Sequence, residues 1–209
     1  MSYNHLINGE FLPFQESGIG KAYASKYFCI GDEMGLGKTW QGIGLSLVVG
    51  KPTLVVCPAG LRENWKKEFE TLPKKKLNVD IIKKPSQVYY PFDSDVVIIS
   101  YDVNMLSASE ELFQWADVII ADEAHYISNM DSGRGGMFHK LLYECAPEYY
   151  LELSGTPIKN RAGEWYSLLR ALYYKSDEEH KSFISEYPTK YEFMDKFSFS
   201  KKIRIKIYP

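Results

Sequence analysis

Residues 31–39 read GDEMGLGKT and follow the apolar run YFCI at 27–30. An apolar run that stops at a glycine-containing turn, with a lysine and a threonine straight after it, is a layout that suits phosphate. Gly35 and Gly37 can take positive φ at little cost and carry no Cβ. Backbone N–H groups can then converge on phosphate oxygens at the N-terminus of a helix starting near Lys38. Lys38 would reach the β- and γ-phosphates, and the Thr39 hydroxyl would ligate Mg²⁺. The phosphate-loop pattern G-x-x-x-x-G-K-[ST] is not met in full, because its first glycine would fall at position 32, which is Asp32. The bland alternative is a tight turn with a surface lysine.

A second stretch weighs against that alternative. VIIADEAH at 118–125 places Asp122 and Glu123 directly after a β-branched apolar run. An acidic pair has no packing reason to stand there. A nucleoside triphosphatase needs a carboxylate at a strand end to hold its metal through water, and a base to orient the attacking water. The other reading is an ordinary acidic loop. Both stretches together fit one chemistry.

Working outward, further short apolar runs fall at 53–58, 78–83, 95–101, 115–123 and 149–155. Several are continuous rather than alternating, which suits strands buried on both faces of a parallel sheet. Helical patterns fill 38–49, 60–71, 102–114, about 134–145 and 162–173 between them, and residues 1–26 are expected to open with a helix beside the first strand. This alternation predicts an α/β fold with a mostly parallel, doubly wound sheet and helices on both faces. PKKK (73–76), KKPS (83–86) and MDSGRGG (130–136) read as breaks. No structure is predicted for the alternating KIRIKI near the end beyond an edge strand or a frayed tail.

The 209 residues are 45% hydrophobic and 25% charged, with a formal net charge of -2. That composition supports a core, and it makes any nucleic-acid contact a local patch. There is no apolar stretch long enough for a transmembrane helix. The N-terminus lacks the order of a signal peptide. Cys29, Cys57 and Cys145 are widely spaced, against a disulfide framework or a structural zinc site. The expectation is a reduced, intracellular protein with no membrane partner.

DEMGLGKT, VVCPAGLRENWKKEF, ISYD, DEAH and LSGTPIKNR stand in the order seen in the Swi/Snf-like DNA translocases of helicase superfamily two. PFQ at 13–15 extends the resemblance toward the N-terminus, and its flavour is similar to annealing-helicase (HARP-like) and phage or prokaryotic members. Gly31, often alanine in that family, is a mild departure. The resemblance implies a RecA-like P-loop NTPase lobe over residues 1–174 and a helical or partly irregular appendage over 175–209. It implies ATP and Mg²⁺ as ligands, with Gln15 on adenine and Met34, Gly35, Leu36, Gly37, Lys38 and Thr39 as the nucleotide loop. Asp122 with Thr39 would organise the metal. Glu123 would be the catalytic base, and His125 would link the nucleotide site to the rest of the machine. Ser154 and Thr156, with Asn160 and Arg161 beside them, would couple hydrolysis to DNA movement.

The same resemblance puts duplex DNA, gripped by its backbone, against Pro58, Arg62, Ser100 and Tyr101. From the residues alone, Trp65 reads as core, since Leu61, Trp65 and Phe69 recur at helical spacing. Nothing after Pro157 resembles the second ATPase lobe that supplies an arginine finger in such motors. The chain therefore reads as lobe one, with the second lobe in cis or in trans. An RNA helicase, a restriction-type motor subunit or a non-catalytic nucleotide-binding scaffold remain the alternatives. The prokaryotic and phage flavour suggests the cytoplasm of a prokaryote or an infected host.

Overall fold

Each of the six apolar runs becomes a strand in the computed structural model, which describes residues 2–89, 92–155, 162–173 and 185–197. The strands are β1 (Tyr27–Ile30), β2 (Thr53–Cys57), β3 (Val79–Ile81), β4 (Val96–Ser100), β5 (Val118–Asp122) and β6 (Tyr149–Leu153). They form one sheet in the order β1-β6-β5-β2-β4-β3. Every pairing in it is parallel. The continuous apolar runs are the cause: strands β2, β4, β5 and β6 are buried along their whole length. Such strands need cover on both faces.

Two sets of helices supply it. α1 (Pro13–Ser25), α2 (Lys38–Val49) and α3 (Arg62–Thr71) cover one face, where Ile19, Ile43, Leu45, Trp65 and Phe69 pack on Val55, Ile98, Ile120 and Leu151. α4 (Val103–Ser107), α5 (Glu110–Trp115), α6 (Gly133–Cys145) and α7 (Ala162–Leu172) cover the other, with Leu106, Phe113, Phe138, Leu142 and Leu168 on Leu54, Val97, Ile119 and Tyr150. α8 (Lys190–Phe197) joins α7 through a small cluster of Tyr166, Tyr187 and Phe193. Among the described residues, no helix is long and apolar enough to cross a membrane.

Three local expectations need correction. The helix expected over 102–114 is two, because the Ser109 hydroxyl bonds back to the Met105 carbonyl and a new helix starts after it. The helix expected from 60 begins as a 3-10 turn over Ala59–Leu61, so Leu61 is 37% exposed and leaves the core pattern that Trp65 and Phe69 keep. The break expected to run to 136 ends sooner: Ser132 caps α6 by accepting from Gly135 N–H. A Cβ on Gly135 would lie 2.1 Å from the Asn129 carbonyl oxygen, so only glycine lets α6 close onto the loop before it.

The parallel sheet puts all strand C-termini on one edge. The glycine loop after β1, Asp122 at the end of β5, Ser154 after β6, Pro58 after β2 and Ser100 at the end of β4 share that edge. β6 lies between β1 and β5, which separates the lysine loop from the acidic tip by two strand spacings, about 10 Å.

One buried group works against stability. Glu152, in the middle of β6, has no exposed surface, and among the described residues its Oε2 has no hydrogen-bond partner. Its Oε1 accepts from the Tyr150 hydroxyl at 3.0 Å. Burial holds this carboxyl well above the usual carboxylate range, opposed by the Tyr150 hydroxyl and the Cys29 thiol. The folded chain thus keeps a proton that the unfolded chain releases above its ordinary pKa, so stability falls as pH rises from there. Glu152→Gln removes that slope. Chemical denaturation from pH 5 to 7 should show the parent losing up to about 1.4 kcal/mol per pH unit relative to the variant. Parallel pH dependences would show that the carboxyl is ionised in the fold.

Candidate functional site

The lysine loop is shaped by its glycines. Gly35 and Gly37 take φ of 84° and 73°, and Gly37 is the N-cap of α2, which starts at Lys38. Lys38 Nζ turns back into the loop and donates to the carbonyls of Asp32 at 2.7 Å and Glu33 at 2.9 Å. A Cβ on Gly155 would lie 3.2 Å from that ammonium, so the turn after β6 rests against the lysine. Met34 is 74% exposed and Leu36 is exposed beside it.

Gln15 bolts α1 to this loop. Its Nε2 donates to the Leu36 carbonyl at 3.0 Å and its Oε1 accepts from Leu12 N–H at 2.9 Å. The side chain is buried against Gly37, where a Cβ would meet Nε2 at 2.5 Å. A carboxamide keeps a second N–H and a second lone pair for a further partner. Behind the loop, Gln41 Nε2 donates to Asp32 Oδ2 at 2.8 Å and holds the loop's first acid.

The acidic tip is buried and tightly bonded. Asp122 is 7% exposed; Oδ2 accepts from the Trp65 indole N–H at 2.7 Å and Oδ1 from Glu123 N–H at 2.9 Å. Burial raises its pKa, and the charge of Glu123 adds to this; the Trp65 bond, the Glu123 N–H and Lys38 oppose it. Glu123 itself sits in the left-handed region at φ 52°, ψ 53°. A non-glycine residue there costs free energy and marks a functional turn in many sites. The strain aims its carboxylate at His125, whose Nδ1 lies 3.1 Å from Glu123 Oε2.

Lys38, Thr39, Asp122 and Glu123 line one cleft of ≈ 310 Å³, together with Gly35, Gly37, Trp40, Asn64, Trp65 and Glu68. Trp40 closes one side by donating from Nε1 to Glu68 Oε2 at 3.1 Å. Among the described residues, no three His, Cys, Asp or Glu side chains gather to hold a metal by themselves. The donor set fits Mg²⁺, which binds through one or two carboxylates plus phosphate oxygens and water rather than in an all-protein cage.

α6 steadies the turn that carries the acids. His139 Nε2 donates to the Ile127 carbonyl at 3.0 Å, at the end of the 3-10 turn Ala124–Ile127. Burial pushes the imidazole down to about 4, with Arg170 adding to the shift and the Ile127 bond opposing it. A neutral histidine in the fold and a protonated one in the unfolded chain mean stability is full above the ordinary pKa of 6.5 and falls as pH drops toward 4. Over that window the parent should lose about 3 kcal/mol more than His139→Gln in chemical denaturation. Equal losses would show that the ring is protonated in place.

The residues expected to meet nucleic acid divide. Pro58 and Arg62 flank the 3-10 turn at the surface, with Arg62 Nε donating to the Ala59 carbonyl at 3.2 Å. Ser100 and Tyr101 do not offer their side chains: both are buried, and the Tyr101 hydroxyl donates to the Asp122 carbonyl at 2.8 Å. Ser100 turns inward because β4 is covered on both faces, and Tyr101 because its hydroxyl is bonded to Asp122 and its ring stacks on Tyr126. Ser154 is also buried, with its N–H on the Ile30 carbonyl at 3.1 Å. Thr156, Asn160 and Arg161 lie outside the described residues, as does most of the appendage.

Sequence reasoning missed the indole bond to Asp122 and the tyrosine bond to its carbonyl. Helical spacing marks Trp65 as core, and it is, but spacing carries no sign of a partner 57 residues away. It also missed Arg134, whose Nε donates to the Tyr101 carbonyl at 3.0 Å and whose guanidinium covers the Tyr126 ring at 5.2 Å.

A family model of the SNF2-related domain matches residues 25–205. A chromodomain-helicase-DNA-binding protein 1-like of Danio rerio is 33% identical over 178 residues, which is 75% of this chain and 17% of that relative. The DNA annealing helicase and endonuclease ZRANB3 of Homo sapiens is 29% identical over 178 residues, 80% of this chain and 16% of its own length. The solved Sulfolobus solfataricus SWI2/SNF2 ATPase core in complex with dsDNA matches with a TM-score of 0.71 at 24% identity, covering 94% of this chain and 45% of that one. That likeness shows the RecA-like ATPase-core fold. The chain thus spans only a small part of the length of the curated relatives it matches.

Proposed function

Because this chain belongs to the SNF2-related domain family, we propose that it is the ATP-binding lobe of a motor that couples ATP hydrolysis to movement along duplex DNA. The observation that carries this reading is the single cleft shared by Lys38, Thr39, Asp122 and Glu123. Lys38 exchanges the Asp32 and Glu33 carbonyls for phosphate oxygens. Thr39 and Asp122 would hold Mg²⁺, which would supply charge neutralisation for the phosphates. Glu123, oriented by His125, accepts the proton of the attacking water. Gln15 reads adenine with its spare N–H and lone pair. Pro58 and Arg62 meet the DNA backbone, and the segment from Ser154 through Thr156 to Asn160 and Arg161 carries the signal between sites.

A second ATPase lobe, in cis or in trans, completes this machine. An arginine finger is worth ~10³–10⁵ in rate. The chain by itself should therefore turn over ATP more slowly than about 1 s⁻¹, with little stimulation by DNA.

Two measurements test the reading together. Mg–ATP should raise the thermal midpoint of the chain, and at the same ligand concentration Lys38→Ala should sharply reduce that rise. In filter binding, duplex DNA should be retained better than single-stranded DNA or duplex RNA. Stronger retention of RNA would sink the DNA motor in favour of an RNA helicase. Protection of full size in Lys38→Ala would leave a scaffold whose nucleotide site lies elsewhere.

A further inference from the structure

Two segments at the C-terminal edge of the sheet, those after β2 and β4, both lead to one residue. From the first, Trp65 lies one turn into α3 behind Arg62, and its indole N–H reaches Asp122 Oδ2 at 2.7 Å. From the second, Tyr101 follows the end of β4, and its hydroxyl reaches the Asp122 carbonyl at 2.8 Å. Both side chains are almost fully buried, at 1% and 2% exposure, so neither bond competes with water. The remaining carboxylate oxygen takes the Glu123 N–H. Asp122 is thus fixed at its carboxylate by one loop and at its backbone by the other.

Both anchors are braced. Trp65 packs against Phe69 with ring centroids 5.9 Å apart, and its ring lies 3.0 Å from where a Cβ on Gly42 of α2 would stand. Tyr101 stacks on Tyr126 at 5.8 Å with the planes 9° apart, and Arg134 holds its carbonyl. Close-packed interiors transmit displacement instead of absorbing it. Hydrogen bonds weaken steeply as they bend. A small shift of α3 or of the β4 loop is therefore delivered to the carboxylate that faces Lys38 across the cleft.

We propose that Trp65 and Tyr101 are positioning residues through which duplex DNA, held at Pro58 and Arg62 after β2 and against the backbone of the loop after β4, sets the affinity of the cleft for Mg²⁺ within this lobe alone. The proposal rests on the reading that the chain binds Mg–ATP and duplex DNA. It goes beyond that reading in needing no second lobe: the link runs from DNA-side helix to metal-side carboxylate inside one sheet. By linkage, Mg–ATP in the cleft tightens the hold on DNA by the same factor.

The test titrates Mg²⁺ into the full chain with a fluorescent ATP analogue, with and without a saturating short duplex. In the parent, duplex should lower the half-saturating Mg²⁺ about fivefold or more, the lower end for coupled sites. Trp65→Phe keeps an aromatic ring but loses the donor; Tyr101→Phe loses one oxygen only. Each should cut the duplex effect to less than about twofold. A merely structural role would lower the thermal midpoint and leave the duplex effect intact. Should Trp65→Phe fail to fold, Tyr101→Phe decides alone. A parent that binds both ligands with no duplex effect on Mg²⁺, or variants that keep the full effect, overturns the proposal and leaves the functional reading standing. A parent that binds no nucleotide overturns both.

Discussion

Glu123→Gln should slow the release of phosphate from ATP by about 10²–10⁴-fold, the contribution of a positioned general base, while Mg–ATP should bind almost as well as before. Glutamine has the same shape and cannot take the proton. The left-handed backbone that aims residue 123 belongs to the turn and survives the change, since the turn is held by Tyr126 N–H on the Glu123 carbonyl at 2.9 Å and by His139 on Ile127. On the proposed reading binding should survive, because it is assigned to Lys38 and Asp122. Single-turnover release of labelled phosphate, run with and without duplex DNA, measures the effect even for a slow lobe. An unchanged rate would remove Glu123 from the chemistry, and the strained turn would then need another explanation.

Lys38→Ala should weaken Mg–ATP binding by about 10–10²-fold, from the loss of charge-assisted hydrogen bonds at ~1.5–3 kcal/mol. The fold should barely notice. The ammonium now satisfies only two loop carbonyls near the surface, and water can replace it there. Lys38→Arg should not rescue binding, because a planar fork does not fit where a compact point charge turns back under its own loop. Calorimetric titration with a non-hydrolysable analogue separates these outcomes. Full affinity in Lys38→Ala would mean that the glycine loop binds something other than triphosphate.

The strands were legible because both-face burial writes itself as uninterrupted Val, Ile and Leu. Lys38–Val49 was legible to the residue because a glycine N-cap precedes it and Gly50 ends it in the left-handed region. Side-chain partners across the sheet were not. Helical spacing placed Trp65 inside but could not show that its indole meets Asp122, and the SYD motif could not show that Tyr101 turns inward. Glu152 carries no mark in the apolar run at 149–155 that would set its burial apart from that of an exposed strand residue. It is buried because α7 and its neighbours cover that face of β6, which only the tertiary packing reveals.

The indole held on Asp122 also makes the protein its own optical gauge. The chain has four tryptophans, at 40, 65, 115 and 165. With the other three changed to phenylalanine, the emission colour of a single ring would report, without any dye, whether the acid beneath it takes hold of a cation.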